Sequence, residues 1–414
     1  MKSVKRVLFI NHSIRDGGPG KSLFYILKFL DRKRISPYVL IPKDDVFSER
    51  LKAEGIYENV ITDKRFPENL KRPRFERDTG KIKSGGLGRF YTILLHLLSV
   101  FLNILDLASL VITSPFLIKG KKIDVIYCNG TQAKIAGALM GLANWCPVIW
   151  HVRNIQQTKL LGSMVYTLAA LPVVKRIVCV SGATAEQFPY ARGKLVVIHN
   201  GIDPEDYNPE TTVGEIRRDY ELSDKTIVIG STGRIVPRKG YDLFIKSAGQ
   251  AIKRSENKNV KFVIVGDTPF FFSDNHLVYL KNLVSELGLE EYFIFTGFRK
   301  DVRPCLKDFD IFVIPSSYPD PFPRSVIEAM SFALPVIGFR AGGIVESVED
   351  GVTGILSEPD STEEMENAIL RLIANKGLRR EMGKAGRERV KQNFSADRIA
   401  ERIQEQILQV TGKP

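Results

Sequence analysis

The sequence predicts an α/β protein made of two Rossmann-like, doubly wound parallel-sheet domains that face each other across a cleft. Three observations carry that prediction. Apolar runs rich in Val and Ile alternate with longer stretches of helical period, which is the pattern of parallel strands wrapped by helices. At 414 residues the chain exceeds one ordinary core and suits two domains of about 150 to 200 residues each. A composition of 44% hydrophobic and 26% charged residues belongs to a globular chain rather than a disordered or fibrous one.

The first half opens with VLFIN, and PYVLIP, DVIYCN, PVIWHV, RIVCVS and LVVIHN follow as strands. In the second half TIVIGSTGR, KFVIVGD, YFIFTG, DIFVIPSS and PVIGFR repeat the rhythm. Between them NGIDPEDYNPETTVGEIRRDYELSDK, rich in Pro, Asp and Glu, reads as a linker into a short helix. The domains are therefore placed at 1–205 and 206–395, with a helical tail at 396–414. Sheets of this kind bind ligands outside the strand C-termini. Neither half holds a complete GxGxxG, which removes the main support for a nicotinamide dehydrogenase.

HSIRDGGPGKSLFYIL, residues 12 to 27, follows the first strand and ends its loop in Gly20, Lys21 and Ser22, like the tail of a P-loop. That motif needs glycine five places before Gly20, where this chain has Arg15, so an ATPase is not supported. A helix N-terminus after a strand still suits an anion. Cys128, Cys146, Cys179 and Cys305 lie far apart without a CxxC pair and read as reduced core residues of a cytosolic protein. The start MKSVKRVLFIN has an apolar run only a strand long, too short for a signal peptide.

The net charge of +13 favours an anionic partner. Residues 64–89 hold nine Lys or Arg against three acids. A solvated insertion and an anion-binding loop both fit them; nucleic acid does not, since few aromatics are there to stack on bases. Residues 90–118 then carry no Lys or Arg and a single acid, Asp106, while Thr92, His96, Ser99, Asn103, Asp106, Ser109 and Thr113 recur on one narrow helical stripe. A membrane-spanning helix would bury Asp106, Asn103 and His96 near the bilayer centre at a cost of several kcal/mol. Two readings stay open: a helix buried on most sides in its domain, or an element in the membrane interface beside its basic loop.

The chemistry-bearing residues lie in the second half. In GRIVPRKGYDLFIKSA, Arg234 and Lys239 flank a loop that runs into a helix near Tyr241. Two cations beside a helix N-terminus suit a diphosphate. Residues 315–355 add PSSYPDPFPRSVIEAMSFALPVIGFRAGGIVESVEDGVTGIL. GRIVPRKG, DIFVIPSS, an acid followed after seven residues by EA, then LPVI, GGIVE and DGVTG resemble the retaining, nucleotide-sugar-dependent glycosyltransferases of family four, which have the two-Rossmann GT-B fold. In the first domain DGGPGKS looks like that family's diglycine loop, and VIWH, VCVS and VIHNGID fall in its order.

The resemblance implies that Arg234 and Lys239 bind the donor diphosphate, that Glu328 at a helix start accepts from the ribose, that Asp320 touches the transferred sugar, and that Phe322 belongs to the donor-binding set. Asp320 stands where the family usually has Glu, and Pro323 where it commonly has Gly; these departures bear on sugar identity. Gly342, Gly343 and Ile344 would offer amides to phosphate or sugar, with Glu346 shaping their loop. Gly17 and Gly18 would bring bare backbone close to the donor phosphates. His151 would contact the transferred sugar near the reacting carbon, with Arg153 in place of part of the family's next acid. Asn200 and Gly201 read as the turn between domains.

KDFDIF places Asp308 and Asp310 before a strand, so they read as strand-start residues and not as metal ligands. The activity implied is retaining transfer of a sugar from a UDP- or GDP-sugar to an acceptor hydroxyl, with no metal and no cofactor, and the C-terminal helix packs back on the first domain. A glycan or lipid-linked acceptor at an anionic membrane surface fits the basic loop and apolar helix, which places the protein in the cytoplasm or on the inner face of the cytoplasmic membrane. A soluble transferase with a small acceptor and a non-catalytic sugar-nucleotide binding module are the rival readings.

Overall fold

A computed structural model of the chain describes residues 4–12, 17–66, 86–156, 159–268 and 276–412. It divides into two compact units, residues 1–198 with 399–414, and residues 199–398. Most of the basic run 64–89 lies outside the described residues.

The first unit is built on seven parallel strands: β1 (Lys5–Asn11), β2 (Ile35–Ile41), β3 (Val60–Thr62), β4 (Val125–Asn129), β5 (Val148–Val152), β6 (Val174–Cys179) and β7 (Leu195–Val197). They run in the order β3-β2-β1-β4-β5-β6-β7. Val7, Leu8, Phe9 and Ile10 are all fully buried, because helices cover both faces and remove the polar alternation of a half-exposed strand. Strand order reverses between β1 and β4, and there Asn11 lies opposite Asn129, and Asn129 opposite His151. A row of polar side chains thus closes the C-terminal ends of three neighbouring strands at the switch point, where doubly wound sheets bind ligands.

The apolar segment forms a 35-residue helix, Gly86–Gly120. From Ser99 onward its polar stripe faces the protein, while His96 is exposed: Ser99, Asn103 and Ser114 are buried with Leu107, Leu110 and Ile118. The Asn144 amide donates to the Ser114 hydroxyl at 2.7 Å, and the Arg65 guanidinium donates to Ser109 and Thr113. The apolar positions Phe90, Leu97, Phe101, Ile104, Ile112 and Phe116 are exposed instead. Of the two readings of this segment, a helix buried on most sides does not describe it. Small hydroxyl and amide side chains let the helix approach Thr131–Asn144 closely and find partners there, which leaves the bulky face outside.

The second unit has six parallel strands, β8 (Ile227–Thr232), β9 (Val260–Val265), β10 (Phe293–Gly297), β11 (Ile311–Ile314), β12 (Val336–Phe339) and β13 (Gly354–Ser357), in the order β10-β9-β8-β11-β12-β13. Its switch point lies between β8 and β11. The unit begins at His199, several residues before the 205/206 boundary read from the sequence. The Asn200 amide donates to the Phe322 carbonyl at 3.0 Å, Arg324 donates to the Gly201 carbonyl, and Ile202 bridges Ser395, so these linker residues pack as part of this unit. The helix Ala396–Thr411 buries Ile399, Ile403 and Ile407 at one-turn spacing. Within the first unit its Gln404 accepts from the Asp31 amide and its Arg402 donates to the Val197 carbonyl.

Candidate active site

In the first unit the polar row is wired from the strands outward. The Asn129 amide donates to the Asn11 side chain at 2.9 Å and to the Pro19 carbonyl at 3.1 Å, which ties the diglycine loop to the sheet. Gly17 caps the helix Gly18–Phe29, whose first turn carries no acidic side chain. The start of this helix therefore keeps the partial positive charge of a helix N-terminus. Lys21 and Ser22 lie within that helix, and Ser22 is buried.

His151 is fully enclosed at the end of β5. The Tyr127 hydroxyl lies 2.5 Å from its Nδ1 and the Arg153 guanidinium 3.2 Å from the same atom. Guanidinium only donates, so Nδ1 is the acceptor and the proton resides on Nε2. Nε2 is buried with no hydrogen-bond partner among the described residues. Burial, then the charges of Arg153 and Lys134, hold the ring well below the usual histidine range, so it is a neutral N–H donor with a fixed tautomer. The Arg153 Nε also donates to the Asn129 side chain at 2.5 Å. Sequence reasoning missed His12, whose half-buried ring lies against Gly130: a Cβ at Gly130, which has φ of 100°, would come within 2.1 Å of the imidazole. Burial pushes its pKa down to about 4.

In the second unit Arg234 is exposed in the loop just after β8, within electrostatic reach of Arg238 and Asp320. Lys239 ends a single turn, Pro237–Lys239, and its ammonium forms an ion pair with Asp320. Gly240, at φ of 66°, lets the chain pass the β11 end, where a Cβ would stand 2.0 Å from the Pro315 carbonyl oxygen. The switch point thus gathers Arg234, Lys239 and Asp320 from loops after β8 and β11.

Glu328 is buried in the second turn of the helix Arg324–Ser331, further in than the helix start expected for it. One carboxylate oxygen, Oε1, accepts from the Tyr207 hydroxyl at 3.1 Å and faces the Arg324 guanidinium at 3.3 Å. Pro323 is the N-cap residue of this helix. Phe322 is buried, with its ring 4.8 Å from that of His199, and His199 Nε2 lies 3.0 Å from the Glu346 carboxylate. The Gly343 amide donates to the Asp320 carbonyl at 2.7 Å and the Ile344 amide to the Ala341 carbonyl, so both are engaged within the unit. Asp308 and Asp310 lie just before β11, at the N-terminal end of the strands, where both accept from Arg217.

Tyr207 and Arg324 carry no motif of their own in the sequence, and VIHNGID assigned no role to His199. Asn11 and Asn129 do leave a trace, since each ends a Val/Ile-rich run with an amide side chain.

Two Rossmann-like parallel-sheet units give the chain the GT-B fold, and its likeness to known sugar transferases makes it a hexosyl-type glycosyltransferase. Residues 213–389 match the family described as glycosyl transferases group 1. The chain is 26% identical over 299 residues to the uncharacterized glycosyltransferase MJ1607 of Methanocaldococcus jannaschii, covering 67% of this chain and 73% of that protein. It is also 26% identical over 301 residues to UDP-Gal:alpha-D-GlcNAc-diphosphoundecaprenol alpha-1,3-galactosyltransferase of Escherichia coli, covering 70% and 76%. The crystal structure of Anabaena Alr3699/HepE in complex with UDP and glucose superposes with a TM-score of 0.75 at 25% identity, covering 97% of this chain and 98% of that one.

Proposed function

We propose that the chain moves a hexosyl group from a UDP-sugar to an acceptor hydroxyl with retained anomeric configuration, and that the acceptor is a lipid-linked or cell-envelope glycan at the inner face of the cytoplasmic membrane. The observation that carries this reading is the pair of cations, Arg234 and Lys239, on the loop between β8 and the helix beginning at Tyr241, with Asp320 on the ammonium. As the bond to the anomeric carbon lengthens, the diphosphate gathers charge, and cations already in place stabilise that state above the ground state. They fill the charge-compensating role, so the reading requires no metal and no cofactor.

In this reading the diphosphate takes the Lys239 ammonium from Asp320, and the freed carboxylate accepts from a sugar hydroxyl. Glu328 keeps Oε1 on Tyr207 and Arg324 and offers Oε2 to the ribose hydroxyls, as an acceptor-only group suits a diol. The neutral His151 donates Nε2–H to the transferred sugar, and the leaving phosphate takes the acceptor's proton. Uridine is favoured over guanosine because the Anabaena protein holds UDP and glucose and the name of the Escherichia coli relative specifies UDP-Gal. That name also specifies a diphosphoundecaprenol acceptor, which supports the lipid-linked class.

The test is donor hydrolysis without acceptor across a panel of UDP- and GDP-hexoses. Slow release of UDP is expected, and Arg234→Gln and Lys239→Met each lower its rate by about 10²- to 10³-fold. Release of the same anomer as the donor, followed by NMR, checks retention. The shorter Asp320 and the missing amide of Pro323 favour one rival, a binding module without turnover. If nucleotides raise the melting temperature and no donor yields a nucleoside diphosphate, that rival replaces the transferase.

A further inference from the structure

We propose that the helix Gly86–Gly120 lies in the plane of an anionic lipid leaflet, with its apolar face among the acyl chains and its polar stripe on the protein. This deepens the lipid-linked acceptor reading above and rests on it for its purpose, though not for its evidence. The helix is inside out for a soluble chain. Ser99, Asn103, Leu107, Leu110, Ser114 and Ile118 occupy the inward face, while Leu97, Phe101, Ile104, Ile112 and Phe116 stand exposed on the opposite one, Phe116 at 84%. Contiguous exposed apolar surface of this length marks a contact with a partner or a membrane.

Three observations select a lipid leaflet. The inward face is clad by the unit from residue 99 to residue 118, about 30 Å of helix, and a helix covered along one side by a water-soluble unit cannot cross a bilayer. It can lie in the interface. Beside it, Trp145 is 79% exposed directly after Asn144, whose amide bonds Ser114 of the long helix. An exposed indole at that place suits the headgroup boundary. Finally, Lys119, Lys121 and Lys122 are exposed at the helix end. Such a basic margin attracts anionic headgroups. It would oppose a second copy of a chain that carries a net charge of +13.

The test uses the full chain with vesicles of phosphatidylglycerol and phosphatidylcholine, and with phosphatidylcholine alone. Flotation with the anionic vesicles is expected, together with a blue shift of Trp145 emission and its quenching by brominated acyl chains; Trp150 is fully buried and serves as the internal constant. Phe101→Asp with Phe116→Asp, both at exposed positions, should weaken vesicle binding at least tenfold and leave the melting temperature and acceptor-free donor hydrolysis unchanged. Absence of flotation, unchanged flotation of the double variant, or a lipid-free homodimer that the double variant dissociates would each overturn the proposal. Flotation without UDP release from any donor would instead sink the transferase reading and leave the docking surface standing.

Discussion

In the proposed reaction His151 acts through its tautomer. With Nδ1 occupied by Tyr127 and Arg153, the imidazole presents an N–H, and burial with two nearby cations keeps it neutral across the working pH range. We expect kcat to show no acid limb near pH 6.5 from this residue, and His151→Ala to lower kcat by about tenfold to hundredfold. An acid limb near 6.5 that disappears in His151→Gln would refute the neutral-donor role. His12 makes a stability prediction of definite sign. Its pKa is pushed from 6.5 down to about 4, so between those values the unfolded chain binds the proton and the folded one does not. Stability is therefore complete above pH 6.5 and falls as pH drops toward 4, by up to about 3 kcal/mol. Urea titrations at pH 7 and pH 4.5 measure this loss, and His12→Gln should reduce it. Lys134, fully buried, with no hydrogen-bond partner for its ammonium among the described residues and the Trp150 ring centre 5.9 Å away, lowers both imidazoles and is itself pushed down to about 8. Replacing it with Met should stabilise the fold at pH 7 by roughly 2–3 kcal/mol, with the gain shrinking as pH rises from about 8 to 10.5, and should raise the His151 pKa seen by NMR.

At the scale of elements, the two loops of the proposed donor side form a single piece. Gly342 and Gly343 press on the backbone of Pro319–Phe322, and a Cβ on Gly343 would lie 2.1 Å from the Pro321 oxygen and 3.0 Å from the Phe322 Cα. Gly343→Ala must move the segment that carries Asp320, so we expect UDP affinity to fall more than tenfold and stability by about 1–3 kcal/mol; isothermal calorimetry and urea melts measure both. Unchanged UDP affinity would show that Asp320 and the glycine loop work independently. The role of this glycine pair as a close backbone approach was not legible in GGIVE, which reads equally well as a set of free amides. The strands themselves were legible, because VLFIN, DVIYCN and DIFVIPSS are buried on both faces and so are apolar throughout. β3 and β13 escaped notice since Val60–Thr62 and Gly354–Ser357 are too short and too poor in large apolar residues to stand out. The cations and the buried glutamate were visible through their motifs. What the sequence could not show is adjacency: strand order places Asn11, Asn129 and His151 side by side, and Lys239 meets Asp320 across 81 positions. Periodicity likewise revealed the stripe on the long helix without saying which side faces inward.

At the scale of the whole molecule, each unit closes its own apolar core, one around Phe244, Phe262 and Phe293 and the other around Trp150, Ile126 and Ile10. The long helix needs no share of either core on its outer side, and a bulky apolar face left over after both cores are complete calls for an explanation outside the fold. The distribution of charge separates the two forces that would hold that face to a membrane. An excess of +13 acts over a Debye length, about 8 Å at physiological salt and about 3 Å at 1 M, whereas apolar burial is insensitive to screening. Replacing Lys119, Lys121 and Lys122 with Gln should remove about 1 kcal/mol of attraction per residue, so anionic-vesicle binding should weaken about fivefold for each and roughly a hundredfold for the triple variant. Binding to phosphatidylcholine alone should stay as it was, and acceptor-free UDP release should not change, since these lysines belong to the first unit and Arg234, Lys239 and Glu328 to the second. At 1 M salt the triple variant and the native chain should converge on one weak affinity, and Phe116→Asp should then lower that residual in both. If the native chain binds equally well at low and high salt, the basic margin contributes nothing and the apolar face alone sets the affinity.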